Sequence, residues 1–203
     1  MRAVGLYDPQ NEHDACGVGF VLNLDGRAEH KIVEKGIEVL ENLLHRGATG
    51  ADPKTGDGAW LLIQIPDAFF RDEAKRLGFA LPDRGRYGVG ALFLPPGGRE
   101  LAETKAGLQR ILLEEGLAVL GWREVPVKPD EVGDTARASM PSFWQVFAAA
   151  PDGALADDPL ERKLLVVRKR AEHELGRKAV DNSPNCYAES FSCHTLVYKG
   201  MMI

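Results

Sequence analysis

Residues 14 to 20 read Asp14-Ala15-Cys16-Gly17-Val18-Gly19-Phe20, a cysteine set directly ahead of a strand-like apolar run. The fifteen residues before Cys16 lack the patterning of a folded element. A cut between Ala15 and Cys16 would leave the cysteine N-terminal, with a thiol nucleophile and an α-amine on one carbon skeleton. A free thiol ionises at about 8.5 and an α-amine at about 7.7 to 8.0, so the amine is matched to take the thiol proton near neutral pH. Small Gly17 and Gly19 allow close approach of substrate or backbone. The plainer reading is an uncut chain with a lone buried cysteine, an inert packing residue.

Outward from Cys16, residues 17–22 predict a strand, and Asn23-Leu24-Asp25-Gly26 supplies turn chemistry after it. From His30 to His45, Val33, Ile37, Leu40 and Leu44 recur at helical spacing with charges between them, which predicts an amphipathic helix. His45 to Gly58 holds four glycines and a proline and predicts a loop. The runs Trp60–Ile65, Tyr87–Leu94 and Phe143–Ala150 are nearly continuously apolar, as in strands covered on both faces. Asp67–Leu77, Glu100–Glu115 and Asp158–Leu175 predict helices, although Leu164–Val167 inside the last also reads as an apolar run. Leu117–Val127 predicts an extended segment, and Ala188–Tyr198 a closing pair of short strands.

Composition narrows the function classes. The chain has 203 residues, 44% hydrophobic and 27% charged, enough to bury a core without covalent staples. A net charge of -5 and a pI near 5.6 argue against nucleic acid as a main partner, because phosphate binding needs clustered Lys and Arg. Cys16, Cys186 and Cys193 are too few for a disulfide framework, and no pair has zinc-ligand spacing, so a reducing, cytoplasmic compartment is expected. Asp8, Glu12 and Asp14 exclude a secretory signal, and no apolar run approaches a membrane span.

Other candidate groups carry bland readings beside chemical ones. Arg46, after His45 at the helix–loop boundary, can clamp a carboxylate through its planar fork or anchor the loop by donating to backbone carbonyls. The loop lacks the spacing of a phosphate cradle, and Gly88-Val89-Gly90 lacks the third glycine of a dinucleotide site. The histidines 13, 30, 45, 173 and 194 have no second ligand at a metal-binding interval, so no metal site is expected. Cys193-His194, read as neighbours in a strand, would point to opposite faces and make a poor nucleophile–base pair.

Several stretches together resemble one family, the N-terminal glutamine amidotransferase domain of the glutamate synthase large subunit. It is a class II amidotransferase of the N-terminal-nucleophile hydrolase superfamily. The stretches are Tyr7-Asp8-Pro9 through Phe20, His45 to Gly58, Gly121 to Val127, Ala136 to Pro141, Glu161 to Leu164 and Val197 to Met201, in the family's order. The resemblance implies an α+β, four-layer αββα sandwich. It implies a propeptide-like leader at residues 1–15 and an amidotransferase portion at 16–203. Cys16 becomes the catalytic nucleophile, attacking the side-chain amide of L-glutamine and passing through a glutamyl thioester. Arg46 becomes the candidate substrate-binding residue, since its loop lies beside the nucleophile in the family.

The family also carries an Asn-Gly oxyanion pair and a His-Ser-Arg carboxylate clamp, and neither tripeptide nor dipeptide occurs in these 203 residues. The expectation is therefore a sandwich incomplete at its C-terminal side and inactive alone. Its expected partners are other domains or subunits of a synthase, or a second copy of itself. FMN and an iron–sulfur cluster are expected in the rest of the synthase, with none in this chain. A non-catalytic module docking on such a partner is the alternative.

Overall fold

The computed structural model describes residues 17–43, 52, 54–56, 58–176 and 186–200. At its centre lies β2 (Gly88–Leu94), whose continuous apolar sequence is buried along both faces. It pairs antiparallel with β4 (Ser142–Ala149) on one side and β5 (Tyr187–Ser192) on the other. Outside β4 runs β3 (Ala118–Glu124), giving the order β3-β4-β2-β5. A second, two-stranded sheet pairs β1 (Ala59–Gln64) with β6 (Thr195–Gly200), again antiparallel. No helix among the described residues is long and apolar enough to cross a membrane.

The period-two alternation of strands sorts the core into two halves. Leu92, Leu94, Val146 and Ala148 face α3 (Gly98–Glu114) and α5 (Asp157–Leu175), meeting Leu108, Ile111, Leu112, Leu160, Leu164 and Val167. Val89, Ala91, Phe147 and Ala149 face the other way, toward Ile65, Phe70 of α2 (Asp67–Leu77) and Leu196 of β6. Pro66 precedes α2, where its missing N–H costs nothing, and Gly78 ends it in the left-handed conformation. A short α4 (Asp134–Ala138) and two 3₁₀ turns, at Pro129–Glu131 and Pro151–Gly153, join the strands. Asp157–Leu175 is helical throughout, as its charge-rich periodicity predicts.

Two expectations are corrected. Residues 17–22 form no strand, and Val18, Phe20 and Leu22 are exposed. The helix α1 (His30–Asn42) that follows buries none of its residues. A strand exists only where a neighbour takes its backbone hydrogen bonds, and no ladder partner for 17–22 stands among the described residues. The continuous run in β1 also fails to be covered on both faces. It alternates, with Leu61 and Ile63 half-buried while Trp60 and Leu62 are more than half exposed.

Glycines explain part of the run Gly121-Trp122-Arg123. A β-carbon on Gly121 would lie under 3.0 Å from the ring of Phe79, which packs against Phe147. Trp122 meets Trp144 edge to face, and Lys105 Nζ sits over both rings. Gly121→Ala is therefore expected to displace the Phe79 ring and cost about 1–3 kcal/mol, the usual range for overpacking. Urea unfolding checks this, and an unchanged midpoint would contradict the contact.

Candidate functional site

Cys16, His45 and Arg46 lie outside the described residues, as do the leader and His13. The frame on which they hang is described. A β-carbon on Gly17 would lie 2.9 Å from Leu43 Cδ2, and Gly19 packs equally tightly on Val39. Thus the segment leaving Cys16 runs against the C-terminal half of α1. Cys16 is one residue before that contact and Arg46 three residues after Leu43. The close glycine contacts thus hold residues 17–19 against Val39 and Leu43.

Beyond Arg46, the glycine-rich loop is pinned where it is described. Asp52 accepts from the backbone N–H of Lys54 at 3.0 Å and from the Thr55 hydroxyl at 3.0 Å, a side-chain turn typical of Asp. Gly133 N–H then donates to the Lys54 carbonyl at 3.0 Å. A side chain at Gly133 would collide with Asp52. Loop and α4 segment are thereby tied together.

Next to this tie lies a cavity of about 810 Å³ between the 125–141 segment, β4, the Ala91–Phe93 stretch of β2, and β6. Its walls are mostly apolar, with Phe93, Phe143 and Trp144 among them. Its polar groups include Gln145, Glu189, Tyr198 and Lys199, with Lys128, Glu131 and Ser139 on the 125–141 side. Glu189 reaches it through a β-bulge. Ala91 pairs with Ser190 and Leu92 with Ala188, leaving Glu189 as the extra residue, a device that re-aims a side chain. Its side chain is only 6% exposed, with Lys199 Nζ 3.4 Å from Oε1, and that oxygen accepts no hydrogen bond. Such a wall can accept N–H donors from a polar ligand.

A buried polar chain underlies the cavity. Arg123, 7% exposed, donates from Nε to Glu73 at 2.6 Å and from Nη1 to Gln145 Oε1 at 3.0 Å. Gln145 Nε2 donates to Tyr198 OH at 3.1 Å, joining the two sheets. Hydrogen bonds from Arg76 and then Arg123 hold the Glu73 carboxyl down at about 2. The Arg123 guanidinium also stands 5.0 Å over the Phe69 ring.

The other cysteines sit in contrasting settings. Cys186 is buried in the core, and burial, then the Glu172 charge, push its thiol up to about 12. Cys193 and His194 correct the strand reading. They form the two-residue turn between β5 and β6, which lie in different sheets, so their side chains are free to converge. Ser192 Oγ shapes the turn by accepting from the N–H groups of His194 and Thr195. Burial, then a hydrogen bond to Glu161, pushes the Cys193 thiol up to about 12.

Comparison with known proteins gives one consistent result. The family Glutamine amidotransferases class-II matches residues 16–203, opening on Cys16. The "Glutamate synthase [NADPH] large chain" of Bacillus subtilis is 44% identical over 201 residues, 99% of this chain and 13% of that protein. "Ferredoxin-dependent glutamate synthase 2" of Synechocystis is 40% identical over 94% of this chain and 12% of its own length. "Glutamate synthase [NADH]" of Schizosaccharomyces pombe is 37% identical over 99% of this chain and 10% of its own length. The chain thus spans about an eighth of the proteins it matches.

Proposed function

Because the chain belongs to the class-II glutamine amidotransferases, we propose that it supplies the nucleophile, Cys16, for the glutamine-hydrolysing step of a glutamate synthase and is completed by the rest of that protein. The observation that carries this reading is the family match over 16–203, whose first residue is Cys16 itself. With residues 1–15 removed, the Cys16 α-amine takes the thiol proton, and the thiolate attacks the side-chain carbonyl carbon of L-glutamine. Collapse of the tetrahedral adduct expels ammonia, taking back a proton, and leaves a glutamyl thioester. Water then cleaves the thioester, giving glutamate and the free thiol. Arg46 is the candidate residue of this chain for contact with the bound glutamine, which its planar fork suits, beside the carboxylate clamp that the rest of the protein supplies.

The ammonia is used elsewhere in the larger protein, and the other domains or subunits of that synthase are the partners, with self-association a further arrangement. The three relatives name three electron donors, NADPH, ferredoxin and NADH, at 37 to 44% identity to this chain. Choice of donor therefore belongs to other parts of those proteins. FMN and iron–sulfur chemistry are likewise assigned to the rest of the synthase. Three cysteines in 203 residues do not fit a four-thiolate cluster. The layering of helices α3 and α5, one sheet, then a second sheet supports the four-layer αββα reading. A reducing, cytoplasmic location accords with the free thiols Cys186 and Cys193.

Intact mass spectrometry of the chain treated with a diazoketone analogue of glutamine tests the proposal. The expected species lacks residues 1–15 and carries one adduct on Cys16, and excess glutamine suppresses the adduct. Retention of Met1, or an adduct that glutamine does not suppress, would overturn it.

A further inference from the structure

The turn between β5 and β6 brings Cys193, His194 and Glu161 of α5 together, with one ligand atom from each lying within 4.8 Å of the others. We propose that these three residues bind a zinc-class divalent transition metal, which fastens the first turns of α5 to the crossover between the two sheets. Thiolate, imidazole and carboxylate are together a donor set for borderline-soft ions such as Zn²⁺ or Co²⁺, and a poor one for Mg²⁺ or Ca²⁺.

The spacing is already close to what such an ion needs. Cys193 Sγ stands 3.2 Å from Glu161 Oε2. Tetrahedral bonds of about 2.3 Å to sulfur and about 2.0 Å to oxygen put those atoms about 3.5 Å apart. Insertion of the ion therefore asks for a few tenths of an ångström between this pair, and for the ring nitrogen of His194, within 4.8 Å of both, to close to about the same spacing. The carboxylate is held in place from behind, because the backbone N–H of Cys193 donates to the same Oε2 at 2.8 Å. Asp158, one turn before Glu161 on α5, has Oδ1 3.8 Å from His194 Nε2. It can orient the imidazole or take a fourth position, a usual arrangement around ligating histidines.

Charge and access agree with this. Binding replaces the Cys193 Sγ proton, which leaves to solvent, so thiolate and carboxylate together balance the dication. His194 is 44% exposed at its side chain while Cys193 is buried, so the ion has a route in and a sheltered resting place. The inference is independent of the amidotransferase reading, since none of the three residues is assigned a part in glutamine hydrolysis.

The test uses the untagged chain, stripped with a chelator and kept under a phosphine reductant, titrated with Co²⁺ alone. The expected result is one equivalent bound, with a sulfur-to-cobalt charge-transfer band and tetrahedral d–d bands, all discharged by Zn²⁺. Cys193→Ser loses the charge-transfer band, and Cys16→Ser keeps it. His194→Ala, at an exposed turn position that leaves circular dichroism unchanged, binds Co²⁺ at least about tenfold more weakly. A wild-type chain without the band, a band that survives in Cys193→Ser, or unaltered affinity in His194→Ala each overturns the proposal.

Discussion

Iodoacetamide at pH 8 is expected to alkylate Cys16 at least about a thousandfold faster than Cys186. The thiolate is the reacting species, so the ratio follows from ionisation before access is counted. An N-terminal thiol with the ordinary value of about 8.5 is roughly a quarter ionised at pH 8. The Cys186 thiol, pushed up to about 12 by burial and by Glu172, is about one part in ten thousand ionised. Cys186 is also 2% exposed, so the reagent must wait for an opening fluctuation. Cys193 is protected by the same degree of burial. Peptide mapping after a short pulse should therefore find the label on Cys16, and Cys16→Ala should take up almost none. Made in the whole synthase, the same substitution should lower glutamine hydrolysis at least about a thousandfold, the scale on which loss of a nucleophile is felt. Equal labelling of Cys16 and Cys186 would defeat the reading of Cys16 as an accessible nucleophile.

How far such features can be read from sequence depends on how local their causes are. β2 and β4 are legible because residues 88–94 are apolar throughout and 142–149 are so but for Ser142 and Gln145, and their burial follows from that composition. α2 is legible because its span Asp67–Leu77 opens directly after Pro66. The run at 17–22 looks like a strand by the same measure, yet strand formation also needs a ladder partner, which no local pattern supplies. Glu189 was invisible because a bulge breaks the period-two rule that places side chains on faces. For Cys193 and His194 the difference between strand and turn is a matter of two residues. Placed inside a strand they point apart, whereas between Ser192 and Thr195 they turn toward Glu161.

The polar chain beneath the cavity was beyond any local reading. Its bonds join residues 50, 22 and 53 positions apart. Nothing near Arg123 in sequence names Glu73 or Gln145 as its partner. The family-like run Gly121-Trp122-Arg123 consequently signalled kinship without disclosing that each of its residues has a packing task. Such dependence on distant partners makes a buried charge sensitive to any single loss.

Arg123→Met is therefore expected to destabilise the chain by about 3–5 kcal/mol, because breaking a buried ion pair strands the remaining charge and its hydrogen-bond partners. Glu73 keeps Arg76, which sets the expectation toward the lower end. Gln145 has no such substitute and loses the donor to its Oε1. The pH dependence gives the effect its signature. Glu73 has a folded value of about 2 against an ordinary 4.5, so its stabilisation is fully present above pH 4.5 and is lost as pH falls toward 2. In Arg123→Met the carboxyl moves back toward its ordinary value, so the gap between wild type and variant should narrow below pH 4.5. Urea unfolding at pH 7 and pH 3 measures both. A triple replacement, Arg123→Met with Glu73→Leu and Gln145→Leu, should recover much of the loss, since apolar substitution removes the stranded groups altogether. If Arg123→Met cost no more at pH 7 than at pH 3, the Glu73 ion pair would not be what fastens α2 to β3.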